Sequence, residues 1–447
     1  MELLDNLAKA AVQSCQIDKS LFESYNVKRG LRNADFSGVL VGLTKIGDVV
    51  GYEKKGDQII PKEGELYYRG IEISDLTHGF QKEGRHGFEE TAFLLLSGKL
   101  PNKDELAEFS KMLADERELP EFFSKNMILS LRGKNIMNML ARSVLALYSD
   151  DDEAENYSTE NLLRQSINLI AKFPVLVAYS YYGMVHSFQN RSLVIRHPQA
   201  HLSCAENFLY LMKGNNYTKL EADLLDLSLV LHAEHGGGNN SSFTTRVVSS
   251  AQTDTYSAIA AAIGSLKGDF HGGANIKVCE MMDNIKSNVK NWADEAEVSE
   301  YLLKMLKSEV YDKTGKIYGI GHAIYTKSDP RAILLKVKAR ELAIEKNRLD
   351  EFNLYESIER LTPDIFYKYK GGSPKIVSAN VDFYSGFVYQ CLQIPEEIYT
   401  PIFAIARIAG WAAHRIEEVT FTSKRIIRPA YKNVGERGSY TSVNQRS

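Results

Sequence analysis

Apolar residues recur at three- and four-residue spacing along most of the chain, the signature of amphipathic helices. In TDTYSAIAAAIGSLKG, Tyr256, Ile259, Ala260, Ile263 and Leu266 fall on one face. Thr253 or Asp254 is placed to cap that helix and Gly268 to close it. GFEETAFLLLSGKLPNKDELAEFSKMLADERELP predicts two helices broken at Gly98–Pro101, with Asn102 or Asp104 as cap. Strand signal is sparse. QIIPKEGELYYRGIEI predicts a hairpin turning at Lys62-Glu63-Gly64, and YSDDDEAENYSTEN an acidic loop between helices. The expected fold is all-α, mostly helical, with this minor β-hairpin near the N-terminus.

Charge density divides the chain. Lys277–Lys370 is highly charged, whereas FVYQCLQIPEEIYTPIFAIARIAGWAAH is apolar again. Two domains are expected: a large helical one from 1–275, a small helical one from 276–388, and a return to the large domain over 389–447. The tail, SKRIIRPAYKNVGERGSYTSVNQRS, is basic and poorly patterned.

A chain of 447 residues with net charge −3 gives no reason to expect nucleic-acid or membrane partners. No apolar run approaches a membrane span, and MELLDNLAKAAVQSC does not read as a secretion signal. Cys15, Cys204, Cys279 and Cys391 form no CxxC pair, as expected of reduced thiols in a cytoplasmic protein.

Candidate chemistry sits in glycine-rich islands. His271 in GDFHGGAN and His322 in YGIGHAIYTKSDPRA are flanked by glycines that let backbone approach a ligand. His78, His86, His186, His197, His201 and His414 read as structural. In LHAEHGGGNNSS, His232 and His235 are three apart and would share a helix face, so with His271 or His322 they make a three-histidine zinc site conceivable. The spacing is not HExxH, however, and the expected metal content is none. Arg331 follows His322 by nine residues, Arg407 lies in an apolar run, and Arg428 lies in the tail. A buried arginine needs a carboxylate partner, from the protein or from a ligand. Asp382 in SANVDFYSGF is in apolar company, which raises a carboxylate's pKa and suits it to general-base work; a helix cap is the plainer reading. Two histidines, an Asp and several arginines fit proton abstraction beside a carbonyl on an anionic substrate.

LHAEH, GSLKG with HGGAN, GIGHAIY with DPRA, NVDFYSG, FAIARIAGW and IIRP, in this order, resemble the citrate synthase family. YRGIEISDL and LLLSGKLP fit as well, so the likeness runs from about Leu66 to Pro429. HGGGNNSSFTTRVVSS and IMNMLARSVLALYS resemble the version found in anaerobic Gram-positive bacteria. The resemblance implies a homodimer of two-domain subunits whose cleft closes on oxaloacetate and then condenses it with acetyl-CoA. Citryl-CoA is hydrolysed to citrate and CoA, with no cofactor. It implies Asp382 as the base, His271 as donor to the enolate oxygen, and His322 as donor to the oxaloacetate carbonyl. His235, Arg331 and Arg407 match the ligands of oxaloacetate and citrate, and Arg428 matches one supplied by the partner subunit. Gly319, Ile320, Gly321 and Ala323 match backbone that meets CoA. Ala379 stands where many members have proline, and Thr326 where some carry a phosphate-binding arginine, leaving Lys327 and Lys375 as substitutes. The related reading is 2-methylcitrate synthase, acting on propionyl-CoA. A metal-dependent hydrolase built on the histidines and a non-catalytic helical scaffold are the readings from other classes.

Overall fold

The computed structural model describes residues 2–33, 35, 37–55, 58–369, 371 and 377–445. It comprises two units. One joins residues 1–42 with 427–447 and contains the helices Glu2–Ser14 and Lys19–Ser24. Arg428 belongs to this unit, exposed in a stretch without regular structure. The other, residues 43–426, is helical apart from one three-stranded sheet. Among the described residues, no helix is long and apolar enough to cross a membrane.

The helix patterns read from the sequence hold. Thr255–Leu266 is a helix capped by Asp254, which accepts the Ser257 N–H; Tyr256, Ile259, Ile263 and Leu266 are buried. The helices Phe88–Ser97 and Lys103–Asp115 are separated by Gly98 in a left-handed conformation, and Asn102 forms a capping box with Glu105.

The hairpin differs from expectation. Lys62-Glu63-Gly64 is not its turn: Gln58–Tyr68 is one strand, paired antiparallel with Gly47–Lys55. Pairing jumps from Val50↔Glu65 to Tyr52↔Pro61, so Lys62–Gly64 bulges opposite Gly51. The apolar runs flanking it belong to the same strand, which a turn-residue pattern cannot distinguish from two. The bulge seats a distant loop. Thr326 Oγ1 donates to the Gly51 carbonyl at 2.7 Å, and the Gly64 N–H donates to Ser328 Oγ at 3.0 Å. Glycine is required at both positions, because a Cβ would run into the backbone of Ile324 or Ser328.

Tyr399–Thr420 is the hub of the larger unit. It packs on the helices Phe88–Ser97, Thr159–Gln189, Lys219–His232, Asn240–Ser249 and Thr255–Leu266. Phe403, Arg407, Trp411 and His414 recur along it at helical spacing, all buried. One stripe of this apolar helix thus carries polar groups inward. The helices Ala274–Asn288, Pro330–Glu345, Leu349–Tyr369 and Val381–Cys391 complete the surroundings of the loops described next.

Candidate active site

Three loops and the hub helix bring His235, His271, His322, Asp382, Arg331 and Arg407 into one neighbourhood. The first loop follows the helix Lys219–His232, which a capping box starts at Thr218. The helix stops at His232, so His232 and His235 do not share a helix face as their spacing suggested. The buried Tyr68 hydroxyl holds the turn, 3.0 Å from the carbonyl oxygens of Val230 and Glu234. Gly236, at φ 81°, then diverts the chain. His235 is buried, with its ring edge-on to His322 at 5.2 Å and Nε2 without a partner. Burial, then the charge of Arg331, push its pKa well down. Glu234 is also fully buried and its Oε1 accepts from His414 Nε2 at 2.8 Å.

The second loop presents His322. Its Nδ1 accepts the N–H groups of both Ile324 and Tyr325, each at 3.0 Å. A ring nitrogen receiving two donors carries no proton, so in the neutral ring Nε2 is the N–H donor. Gly319 and Gly321 have φ of 77° and 100°. Their polar groups turn to the chain rather than outward: Gly321 N–H donates to Ser378 O at 2.7 Å, and Asn380 N–H to Gly319 O at 2.9 Å. Asn380 Nδ2 adds a bond to Gly321 O at 2.9 Å. An isolated bridge, Ile320↔Ala379, zips the His322 loop to the segment bearing Asp382. Ala323 and Lys327 are exposed; Lys375 lies outside the described residues.

Asp382 is not the cap of its helix. Asn380 caps Val381–Cys391 and accepts the Asp382 N–H, leaving the Asp382 carboxylate to the site. Burial raises its pKa to about 6, with Arg331 and Arg407 lowering it and Asp329 raising it. Asp329 is the tie the sequence showed without a role. It pairs with Arg331 through Nε at 3.0 Å and NH2 at 2.7 Å, and accepts the Val381 N–H at 3.3 Å.

The third loop carries His271. Gly272 N–H folds back on Leu266 O at 3.0 Å, and Thr400 Oγ1 holds Gly272 O at 2.9 Å. His271 Nε2 lies 3.0 Å from Ser241 Oγ, which Trp411 Nε1 also meets at 3.0 Å. Burial, then Arg407, push the His271 pKa down to about 4, so the imidazole is neutral at pH 7.

Arg407 is wholly buried. Nε donates to the His232 carbonyl at 2.6 Å and the guanidinium stacks 4.7 Å over Phe403. Neither NH1 nor NH2 has a partner. Burial brings its pKa down to about 10, which leaves it cationic at pH 7. A buried cation with two empty donors is a site for an anion. Tyr68, Ser241, Trp411, Glu234 and the tautomer of His322 lay outside the sequence reading. Only Trp411 carried a signal, four residues beyond Arg407 on the same helix. His86, His186 and His414 make structural contacts, to Asp223, Arg191 O and Glu234. Among the described residues, no three His, Cys, Asp or Glu side chains gather as a metal cage. His232 instead turns Nδ1 to Ser228 O at 2.8 Å. The cavity of about 450 Å³ lined by Tyr181, Arg191, Met212 and Ile394 shares no residue with this cluster.

Comparison with known proteins bears on the whole chain. The model described as citrate synthase, C-terminal domain, matches residues 35–430. The chain is 35% identical to a citrate synthase of Deinococcus radiodurans, covering 94% of this chain and 99% of that protein. It is 30% identical to a 2-methylcitrate synthase of Shewanella oneidensis over 83% of this chain and 88% of the relative. Among solved structures, the Thermoplasma acidophilum citrate synthase in ternary complex with carboxymethyl coenzyme A and oxaloacetate superposes with a TM-score of 0.75 at 25% identity, covering 94% and 99% of the two chains. Fold, motif order and full-length similarity converge on one assignment: the chain belongs to the citrate synthase family.

Proposed function

We propose that this enzyme condenses acetyl-CoA with oxaloacetate and hydrolyses the resulting citryl-CoA to citrate and CoA. The observation that carries the reading is Arg407, whose two unpartnered guanidinium nitrogens sit among neutral imidazoles and a carboxylate of raised pKa. A dicarboxylate ketone supplies the missing anions. Arg407, Arg331 and His235 hold its carboxylates, and His322 Nε2–H meets its carbonyl oxygen. Asp382 removes a methyl proton from acetyl-CoA. That proton is very weakly acidic, so the developing oxyanion needs a preplaced donor, supplied by His271. A neutral imidazole serves without surrendering its proton early. The enolate carbon then attacks the ketone carbon, and the new alkoxide takes the His322 proton. Water cleaves the thioester of citryl-CoA, releasing CoA thiol and citrate.

The enzyme works as a homodimer in the cytoplasm, and Arg428 of each subunit completes the site of the other. Closure of the 276–388 domain on the remainder excludes water from the enolate. CoA lies along the segment Gly319, Ile320, Gly321 and Ala323, with Lys327 as a partner for its phosphates. The relative from Shewanella oneidensis supports a second reading, propionyl-CoA as acyl donor, because one methylene changes specificity by only ~10–200-fold.

Three outcomes are expected. Purified protein releases CoA thiol from acetyl-CoA only when oxaloacetate is present, unaffected by EDTA, with kcat/KM higher than for propionyl-CoA. Oxaloacetate-independent release, or a preference for propionyl-CoA, contradicts the reading.

Asp382→Asn lowers kcat at least ~10²-fold while oxaloacetate affinity, by calorimetry, stays within a few-fold. In the wild type, kcat/KM rises with pH through an apparent pKa near 6, as the base loses its proton. Because the folded-state pKa lies above the unfolded value, the ionised carboxylate costs stability above pH 6. Below the unfolded value both states are protonated and the cost vanishes. Asp382→Asn therefore melts higher than wild type at pH 7.5, and that gain is absent below about pH 4. A variant that melts lower at pH 7.5, or loses oxaloacetate binding, makes Asp382 a structural residue.

Asp382→Asn and Arg428→Ala, each nearly inactive, are unfolded together and allowed to re-pair. A shared site gives mixed dimers one site free of both lesions, so activity recovers to about a quarter of wild type for random pairing of two-fold dimers. Mixed dimers without recovery place Arg428 in its own subunit's site or in none.

A further inference from the structure

His271 and Trp411 meet on one hydroxyl. Ser241 Oγ lies 3.0 Å from Trp411 Nε1, 3.0 Å from His271 Nε2 and 2.9 Å from Asn239 Oδ1. Ser241 and Trp411 are completely buried. A hydroxyl has one proton to give and two lone pairs, and an indole N–H only donates. Trp411 therefore occupies one lone pair. Two patterns remain for the rest. In the first, the Ser241 proton goes to Asn239 Oδ1, and His271 must donate from Nε2, leaving Nδ1 bare. In the second, the Ser241 proton goes to His271 Nε2, and Nδ1 carries the ring proton.

The chemistry of the partners favours the second pattern. A hydroxyl that already accepts a hydrogen bond is a stronger donor and a weaker second acceptor. An imidazole nitrogen is a more basic acceptor than an amide oxygen, and Asn239 Oδ1 keeps another donor, the Ser241 N–H at 3.3 Å.

We propose that Trp411 is a positioning residue that, through Ser241, selects the His271 tautomer with its proton on Nδ1. Nε2 is engaged with Ser241, so Nδ1 is the nitrogen left to serve a ligand. The catalytic consequence rests on the condensation proposed above, in which His271 must donate to the enolate oxygen. A bare Nδ1 would repel that oxygen.

The test is nitrogen NMR of protein labelled with 15N-histidine, the His271 signals assigned by their loss in His271→Asn. Protonated and bare ring nitrogens resonate far apart, so the tautomer is read directly, with or without activity. Wild type shows a protonated Nδ1 and a bare Nε2. Trp411→Phe, which keeps an aromatic ring but lacks the N–H, shows a larger share of protonated Nε2. Its kcat falls roughly 5-fold, the scale of one neutral hydrogen bond, and the KM for oxaloacetate stays within about 2-fold. In a Ser241→Ala background the same substitution changes neither tautomer nor kcat, since the two residues act as one unit.

A wild-type proton on Nε2 overturns the proposal without any variant. An unchanged tautomer in Trp411→Phe overturns it too, as does an equal effect of that substitution in the Ser241→Ala background, which would make Trp411 a packing residue. A shifted tautomer with undiminished thiol release upholds the selection by Trp411 and removes His271 from the proposed condensation.

Discussion

The site depends on a buried positive charge. Arg407 is taken wholly out of water in the apolar first half of its helix, yet only its Nε is paired, to the His232 carbonyl. Nearby Glu234 favours the cation electrostatically but makes no ion pair with it; its bonded oxygen is committed to His414 and the Gly236 N–H. Isolated buried charges cost several kcal/mol, so the fold holds a cost that an anionic ligand relieves. The same charge reaches outward. It contributes to the low pKa of His235 and His271, keeping them neutral, and it tempers the rise at Asp382.

The loops are set by backbone chemistry rather than by side-chain packing alone. The Ile320↔Ala379 bridge and Asp329 join the His322 loop to the Asp382 helix, and the strand bulge also supports that loop through Thr326 and Ser328. Glycines at 51 and 64 permit the close approach, while those at 319 and 321 supply left-handed turns. The bond from two N–H groups to His322 Nδ1 also fixes a tautomer, so one short loop sets both the place and the protonation of its histidine.

Much of this was legible in the chain. Helix existence, caps and breaks follow from spacing and from Asp, Asn and Gly at the right offsets. His271, His322, Asp382 and Arg407 stand out because their neighbours are wrong for them: glycines around a histidine, apolar residues around a charge. Tyr68 and Ser241 do not stand out, since a tyrosine in a strand and a serine at a helix start are ordinary. Their parts depend on residues far along the chain, Glu234 for one and His271 and Trp411 for the other. The strand bulge has the look of a turn for the same reason. Lys-Glu-Gly has turn composition, and only the pairing partner at Gly51 shows that the strand continues.

The central claim, that Arg407 awaits a carboxylate, is tested most directly by thermal denaturation of wild type and Arg407→Met with and without oxaloacetate. Methionine fills similar space without charge. The account predicts that Arg407→Met melts no lower than wild type in the absence of ligand, because it removes an uncompensated buried charge. It also predicts that oxaloacetate raises the wild-type melting temperature and leaves the variant's unchanged. Equal stabilisation of both proteins by oxaloacetate would contradict it.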